Sequence, residues 1–340
     1  MRRGRLGCAG CLARVIMALV AIVVIAGAGA YYLLANPYKG FQKETFVEIP
    51  KGSTTRGIAD ALAKAGVIRW PWQLVAVRVL RPGSYLQAGE YRFVHSASPI
   101  TVYDRIARGD VFYYELTVPE GANMFDIAAA VERLGLMPPA DFLKTAHDPS
   151  LIHDLAPDAP TLEGYLFPST YRLTRHITAQ QICRLMTDTF RKKWAQLAKP
   201  GQTDSVNRIV TLASLIEKET AVRAERPVVA SVYLNRLRTG MQLDCDPTTI
   251  YAALLEHRYR GTIYKSDLAN TNPYNTYQHA GLPPGPIANP GVDSLNAALH
   301  PSDTTYLYFV AKGDGSGGHH FSTTIEEHDK AVQAYRRAQR

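Results

Sequence analysis

The sequence predicts an α+β protein with one N-terminal transmembrane helix, a small module of strands and helices, and a second, mainly helical domain with a small sheet. Three observations predict this fold class. A long apolar run lies near the N-terminus, a strand–turn–helix motif occurs twice, and amphipathic helical patterns dominate from about residue 120 onward. The chain has 340 residues, which is enough for two domains.

The overall charge of the chain is compatible with several partners. The formal net charge of +8 suits an acidic polymer or membrane headgroups, but a solvated basic surface explains it equally well. The hydrophobic content of 46% is ordinary for a globular protein. Charge alone therefore identifies no partner, and we expect no nucleic acid among the partners.

The first element is a predicted membrane anchor. Val15 to Leu34 carries no charged residue, and as a helix it is long enough to cross the ~30 Å hydrocarbon core of a bilayer. Tyr31 and Tyr32 lie near its far end, where amphipathic rings favour the membrane interface. The arginines that precede the run place the N-terminus in the cytoplasm. They are Arg2, Arg3, Arg5 and Arg14.

A cleaved signal peptide is the alternative to an anchor. Ala28-Gly29-Ala30 resembles a processing site. The apolar run continues through Leu33 and Leu34, however, and exceeds the usual ~7–15 residues of a signal-peptide core. The predicted organisation has five parts, namely a cytoplasmic tail at 1–14, a transmembrane helix at 15–35, a linker at 36–44, a LysM-like module at 45–117 and the second domain at 118–338.

An internal repeat opens each of the two predicted domains. Segment 49–68 aligns without a gap with segment 118–137. Each copy predicts a strand end, a Pro-x-Gly turn and an amphipathic helix that a glycine ends. The corresponding pairs are Pro50/Pro119, Gly52/Gly121, Ile58/Ile127, Ala59/Ala128, Leu62/Val131 and Gly66/Gly135. Two copies are too few for a solenoid, so we expect paired strand–helix units.

The order strand–helix–helix–strand across 45–100 fits a small carbohydrate-binding module of LysM type, although such units also serve as plain packing modules. "SYLQAGEYRFV" and "DVFYYELTV" alternate as half-buried strands do, and "SPITVYDRIARG" between them predicts a helix with a glycine stop. Later, "TAQQICRLMTDTFRKKWAQL" predicts a long helix, "TTYLYFVA" a strand and "GDGSGGHHF" a mobile turn. Thr324 and Glu327 have capping-box spacing ahead of the last helix.

The cysteines and histidines predict neither a disulfide nor a metal site. Cys8 and Cys11 precede the anchor and face a reducing cytoplasm, and two further zinc ligands are not nearby. The sequence does not say whether Cys183 and Cys245 approach each other. Another pair, His319 and His320, would point to opposite faces of a strand and chelate poorly.

The segment "SLIEKETA" places a carboxylate on an apolar helix face. On a helix from Val206 to Arg223, at about 100° per residue, the apolar face is centred on Ile216 and includes Glu219, whereas Glu217 lies at its edge. Burial raises the pKa of a carboxyl group, which can then act as a general acid near neutral pH. The alternative is a structural Glu219 paired with Arg223.

Two further segments bear on this region. In "QLDCDPTTIYAALL", Asp246 is the expected N-cap of a helix and Pro247 its first residue. The loop "NPYNTYQHAGLPPGPIANPG" at 272–291 is rich in tyrosine, asparagine, proline and glycine. Tyrosine and asparagine suit stacking on sugar rings and hydrogen bonding to them. The prolines favour a rigid cleft wall over a flexible connector.

These motifs together resemble the endolytic murein transglycosylase (YceG-like) family, from the anchor to the last helix. The motifs that carry the resemblance are "LEGYLFPSTY" (162–171), "EKET" (217–220), "NRL" (235–237), "DPTTIY" (246–251), "YNTY" (274–277), "GLPPGPIANPG" (281–291) and "YLYFVA" (306–311). The chain departs from the family pattern at Ser169, where many relatives have Asp, and at Cys245, where a small polar residue is usual.

The resemblance implies a lytic transglycosylase that cuts the β-1,4 bond between N-acetylmuramic acid and N-acetylglucosamine in peptidoglycan. It implies Glu219 as a single acid/base residue, without cofactor or metal. Tyr274, Asn275 and Tyr277 are the expected residues of the sugar subsites, and Glu163 and Tyr165 are expected to brace the cleft floor; all five are our substrate-binding candidates.

It further implies a single-pass protein of the inner (plasma) membrane with a cytoplasmic N-terminus and a periplasmic catalytic domain. Such an enzyme would trim or terminate nascent glycan strands, with peptidoglycan synthases as partners. Two other functions stay open, namely a non-catalytic scaffold that tethers peptidoglycan to the membrane and a hydrolase. Glu219 on an apolar face favours the enzyme, because binding alone does not require it.

Overall fold

The computed structural model describes residues 6–198 and 205–338, and it describes side chains from Leu12 onward. The predicted roles of Arg2, Arg3, Arg5, Cys8 and Cys11 therefore lie outside what it describes. The chain divides into two compact units, with the boundary between Tyr113 and Tyr114. Helices alternate with three two-stranded antiparallel sheets in the described residues, which confirms the α+β class.

The first unit contains the apolar helix and a strand–helix–helix–strand module. Its elements are α1 (Leu6–Ala35), β1 (Thr45–Ile49), α2 (Thr55–Lys64), α3 (Pro71–Leu80), β2 (Gly89–Phe93) and α4 (Pro99–Arg108). β1 pairs antiparallel with β2, so that Thr45 faces Phe93 and Ile49 faces Gly89. The predicted order of elements is confirmed, whereas the LysM-type binding role stays a prediction.

α1 includes one segment, Leu12–Ala35, that is long and apolar enough to cross a membrane. Its apolar side chains are exposed over most of this length. Leu34 is different, because it is only 3% exposed and belongs to the core of the first unit with Leu62, Leu74 and Tyr91. The end of the apolar helix is thus part of the folded module.

The second unit is mainly helical. Its strands are β3 (Tyr114–Thr117), β4 (Thr170–Leu173), β5 (Tyr308–Ala311) and β6 (His319–Ser322). Its helices are α5 (Met124–Arg133), α6 (Pro139–Ala146), α7 (Ala179–Leu197), α8 (Val206–Glu219), α9 (Arg226–Thr239), α10 (Asp246–Leu255), α11 (Lys265–Leu268), α12 (Val292–Leu299) and α13 (Ile325–Ala338). β3 pairs with β4 within the second unit, whereas residues 114–117 were predicted to belong to the first module.

The repeat has the same backbone in both copies. Gly52 and Gly121 turn the chain after the strand with φ of 82° and 76°, and Gly66 and Gly135 end the helix with φ of 70° in each case. Residues with a Cβ rarely adopt this left-handed region, which explains why glycine occurs at both positions of each copy. The predicted strand–turn–helix repeat is confirmed.

Three local predictions are corrected. α8 ends at Glu219 and not at Arg223, because the Thr220 side chain accepts a hydrogen bond from Val222 N (3.0 Å) and competes with the helical pattern. Cys245, and not Asp246, is the N-cap of α10. The end of the predicted mobile turn forms β6, which pairs with β5. The capping box of α13 is confirmed, since Glu327 N donates to Thr324 Oγ1.

Candidate active site

Glu219 is the last residue of α8, where the helix leaves the core. α8 packs against α9, α10 and α12, and Leu212, Leu215 and Ile216 on it are buried. The Glu219 residue itself is half-buried. The helix thus brings one carboxyl group from a packed core to the edge of solvent, which agrees with the predicted apolar face.

The Glu219 carboxyl group contacts a thiol and a phenol. Cys245 Sγ donates to Glu219 Oε1 at 3.0 Å, and the Tyr233 hydroxyl group on α9 also hydrogen-bonds to the carboxylate. Burial raises the pKa of Glu219, and the negative charge of Asp246 raises it further, whereas the two hydrogen bonds oppose the shift. Burial is the largest cause, so the group holds its proton to a higher pH than an exposed glutamate does.

Arg223 does not neutralise Glu219. The Arg223 side chain is 75% exposed and pairs with Asp293 on α12 at 3.2 Å. Within the described residues, no lysine or arginine forms an ion pair with Glu219. The structural alternative of a buried Glu219–Arg223 pair is therefore wrong, because α8 ends before the turn that would have brought the two side chains together.

Glu217 has the structural role that Glu219 lacks. Its Oε1 accepts from Arg226 Nη2 at 2.9 Å, and both side chains are nearly buried, at 5% and 6% exposed. Its Oε2 accepts from Gly291 N at 2.9 Å, which ties α8 to the end of the proline-rich loop. Glu217 is therefore held in an ion pair with a buried arginine.

The tyrosine–asparagine segment is joined to the same site through α10. Tyr277 OH donates to Asp246 Oδ1 at 2.7 Å, and Thr276 Oγ1 accepts from Cys245 N at 3.0 Å. Cys245 in turn contacts Glu219. Tyr277 is half-buried, and burial, aided by Asp246, raises the pKa of its hydroxyl group. The phenol thus stays neutral and able to donate.

Asn275 is fully buried and organises the loop from within. Its Nδ2 donates to the carbonyl oxygens of Asp267, Leu268 and Asn270, and its Oδ1 accepts from Tyr277 N and from Thr249 Oγ1. These five partners occupy the amide, so in this conformation it positions Tyr277. The predicted contact between Asn275 and a sugar stays a prediction.

Tyr274, which directly precedes Asn275 in the chain, is partly buried. Its ring centroid is 5.1 Å from that of Tyr251, and burial raises its pKa to about 12. Tyr251 links this ring to Glu163, because its hydroxyl group hydrogen-bonds to the Glu163 carboxylate. The structure therefore places Tyr274 and Glu163 around one shared aromatic side chain.

Glu163 and Tyr165 lie beneath the surface and hydrogen-bond to residues other than Glu219. Glu163 Oε2 accepts from Met124 N at 2.8 Å, and its Oε1 accepts from Asn289 Nδ2 at 2.7 Å. Burial raises the pKa of Glu163 to about 8. Tyr165 OH donates to Asn207 Oδ1 at 3.0 Å. Their predicted role as a brace stays a prediction.

Two of the sequence motifs interlock at this point. Asn289 of "GLPPGPIANPG" accepts from the backbone N–H groups of Gly164 and Leu166 in "LEGYLFPSTY", both at 2.9 Å. Gly164 has a φ of 88°, and a Cβ there would lie 2.5 Å from Pro286 Cγ. Glycine is needed both for the backbone angle and for this close approach.

Sequence reasoning missed three neighbours of Glu219. Cys245 was noted as a possible disulfide partner and as a departure from the family pattern, and that departure was the available signal. Asp246 was assigned to a helix cap. Tyr233 gave no signal, because α9 buries residues on several sides and shows no single apolar stripe.

His319 lies beside a carboxylate, and Cys183 and Cys245 are not bonded to each other. His319 Nδ1 lies 2.8 Å from Glu225 Oε2, and no three metal-ligating side chains converge within the described residues. Cys183 and Cys245 are both free and buried.

Comparison with known proteins gives a consistent family. The model of the YceG-like family matches residues 47–334. A protein of Bacillus subtilis (strain 168) named endolytic murein transglycosylase is 35% identical over an alignment of 334 positions that covers 92% of this chain and 91% of the relative. One of the same name from Streptococcus pneumoniae (strain D39) is 27% identical over 86% of this chain and 58% of that protein. A crystal structure of a YceG-like protein from Listeria monocytogenes matches with a TM-score of 0.55 and 32% identity, over 85% of this chain and 99% of that one.

Proposed function

This chain belongs to the YceG-like family, and from that premise we propose that it is an endolytic murein transglycosylase with Glu219 as its single acid/base residue. Such a lytic transglycosylase cleaves the β-1,4 bond between N-acetylmuramic acid and N-acetylglucosamine within a glycan strand. The relative from Bacillus subtilis supports the assignment, because the alignment spans nearly the whole of both chains.

The proposed reaction needs one carboxyl group. Protonated Glu219 donates its proton to the glycosidic oxygen, the C1–O bond breaks, and an oxocarbenium-like state develops. The Glu219 carboxylate then accepts the proton of the muramic 6-hydroxyl group, whose oxygen bonds to C1 and closes the 1,6-anhydro ring. Glycosidases that use water or a covalent intermediate need a second carboxylate, which this internal nucleophile replaces.

The surroundings of Glu219 suit both halves of this reaction. Its raised pKa keeps the acid form available to a higher pH than in an exposed glutamate. After the first proton transfer, the Cys245 thiol and the Tyr233 hydroxyl group donate to the carboxylate that remains. The observation that carries the proposal is this contrast on one helix, in which no lysine or arginine of the described residues forms an ion pair with Glu219, whereas Glu217 is paired with Arg226.

The decisive test compares Glu219→Gln with Glu217→Gln. E219Q removes the general acid, so cleavage should fall by about 10²–10⁴-fold while the melting temperature stays near that of the wild type. E217Q leaves Arg226 buried without its anion, which costs about 3–5 kcal/mol of stability, but the folded fraction should still cleave. Both variants are assayed on purified sacculi together with thermal unfolding. The opposite pattern would overturn the assignment.

The products of that digestion distinguish the rival functions. Mass spectrometry should find fragments that end in 1,6-anhydro-N-acetylmuramic acid. Reducing ends would indicate a hydrolase. Binding to sacculi without release of fragments would indicate a non-catalytic, membrane-tethered scaffold. The strand–helix module and the proline-rich loop would suffice for such binding.

We further propose that α1 is an uncleaved, single-pass anchor of the inner (plasma) membrane, with a cytoplasmic N-terminus and a periplasmic catalytic unit. The segment Leu12–Ala35 supports an anchor over a cleaved signal peptide, because its 24 residues exceed the usual ~7–15 apolar residues of a signal-peptide core. In that location the enzyme would terminate nascent glycan strands beside the synthases. Affinity purification of the full chain that recovers no synthase would contradict this partnership.

A further inference from the structure

α3 has an apolar face on each side. Leu74 and Val77 point into the core of the first unit and are buried. On the other side, Trp72, Val75 and Val79 are 43%, 38% and 73% exposed. Their spacing of three, four and seven residues places them on one face of the helix, which we call the outer stripe. A helix that is apolar on both sides normally has both sides covered.

The start of α3 is fixed to the end of the apolar helix. The buried side chain of Gln73 donates from Nε2 to Leu33 O at 2.8 Å. Its Oε1 accepts from Arg69 N and Trp70 N, both at 3.0 Å. One amide thus joins the last turn of α1 to the N-terminus of α3, so the outer stripe begins where the apolar span ends.

The residues around this junction have the chemistry of a membrane interface. The rings of Trp70 and Trp72 stack at 6.3 Å, and Arg69 lies over the Trp70 ring at 5.2 Å. Tyr31 and Tyr32 on the last turns of α1 are about two-thirds exposed. Tryptophan and tyrosine with flanking arginine are typical of the headgroup level of a bilayer.

We propose that the outer stripe of α3 lies in the headgroup layer of the bilayer that α1 crosses. This inference rests on the proposed membrane anchor and goes beyond it, because it assigns a second contact with the membrane. The lipid surface is the favoured occupant because the stripe is continuous with the end of the apolar span. The exposed Leu80 lies on the adjoining turn and would extend the contact.

Tryptophan fluorescence can test the contact in the full chain. The protein has three tryptophans, and Trp194 is buried in the second unit. In W194F, reconstituted into nanodiscs with lipids brominated near the headgroup end of the acyl chain, emission should fall to about half of that in unbrominated discs, because the rings sit ~5–10 Å into the boundary. W70F/W72F, which keeps only Trp194, should show no such loss.

A second reporter distinguishes contact along the stripe from contact at the junction alone. Val79→Trp in a W70F/W72F/W194F chain places a single tryptophan at the far end of α3. Quenching of this reporter by the brominated lipids supports the inference. The substitution V75Q in the same chain should reduce that quenching, because it places a polar side chain in the outer stripe. Equal emission with both lipids, in a chain that floats with the discs, would overturn the inference and leave the stripe to a protein partner. A chain that does not float would overturn the anchor, and this inference with it.

Discussion

Glu217 and Glu219 show how two identical side chains on one helix acquire different chemistry. Glu217 forms an ion pair with Arg226 through one carboxylate oxygen, and its other oxygen accepts a hydrogen bond from Gly291 N. Glu219 receives hydrogen bonds from the uncharged Cys245 and Tyr233. Such donors stabilise a carboxylate without fixing it in the charged form, whereas a buried cation would do so. Glu217 is therefore held in an ion pair, and Glu219 is the candidate for proton exchange.

Replacing Cys245 should move the pH dependence of cleavage. Its thiol lowers the pKa of Glu219 by hydrogen bonding. Cys245→Val removes that donor, so the pKa should rise and the loss of activity on the alkaline side should move to higher pH, with a lower kcat. Cys245→Ser keeps a donor and should resemble the wild type. Rate–pH profiles of the three proteins decide the matter, and superimposable profiles would rule out this role.

Replacing Asp246 should shift the pH dependence of cleavage in the opposite direction. Its negative charge raises the pKa of Glu219. Asp246→Asn removes that charge, so Glu219 should lose its proton at lower pH and activity should decline earlier as the pH rises. The same rate–pH measurement applies, with Asp244→Asn on the adjacent exposed loop as the matched control. A shift in the direction of Cys245→Val would contradict the electrostatic account.

At the scale of elements, the buried Glu163 connects three segments and makes their contact sensitive to pH. It joins the N-terminus of α5, the proline-rich loop and Tyr251 on α10. Burial raises its pKa from 4.5 to about 8, so between these values the folded chain holds a proton that the unfolded chain has lost. Stability from this group is present at low pH and declines as the pH rises.

We therefore expect Glu163→Gln to flatten the pH dependence of stability. The free energy of unfolding of the wild type should fall by roughly a few kcal/mol between pH of about 5 and about 8, whereas the amide of Gln does not titrate in this range. Urea unfolding followed by Trp194 fluorescence in a W70F/W72F chain measures both proteins. Parallel pH profiles would show that Glu163 is ionised throughout this range.

Local signals predicted the elements better than they predicted the contacts between them. The glycine stops at Gly66 and Gly135 and the capping box of Thr324 act within a few residues, and all were predicted correctly. The end of α8 was missed because the Thr220 side chain offers the backbone an alternative partner. The interlock of Gly164 with Pro286 depends on residues far apart in sequence, which no local pattern encodes.

The candidate site shows the same division. The apolar face of α8 made Glu219 a candidate, and the composition of the loop made Tyr277 a candidate. The partners that set their chemistry are Tyr233 on α9, Cys245 before α10 and Asp246. Periodicity cannot reveal these, because each is brought in by tertiary packing.

At the scale of the whole molecule, the end of the apolar helix contributes a core residue and a hydrogen-bond acceptor to the first module. A chain that begins at Asn36 lacks Leu33, the acceptor for Gln73, and Leu34, a core residue. We expect it to be less stable by about 2 kcal/mol than a chain that begins at Tyr31, and its melting temperature to be several degrees lower. Thermal unfolding of the two chains, followed by Trp70 and Trp72 fluorescence, measures this difference.

Leu34→Ala in the longer chain is the control for that comparison. It should reproduce most of the loss, because it removes the same buried side chain and keeps the backbone acceptor. Equal melting temperatures for all three chains would mean that the module folds independently of the helix.

The burial of Cys245 also gives the protein chemical durability. On the outer side of the membrane, exposed thiols are consumed by disulfide exchange, which proceeds through the thiolate. Burial raises the pKa of Cys245, and it raises that of Cys183 to about 12, so both sulfur atoms stay in the unreactive thiol form. In the proposed location on the outer side of the membrane, burial would therefore protect the oxidisable thiol next to Glu219 from disulfide exchange.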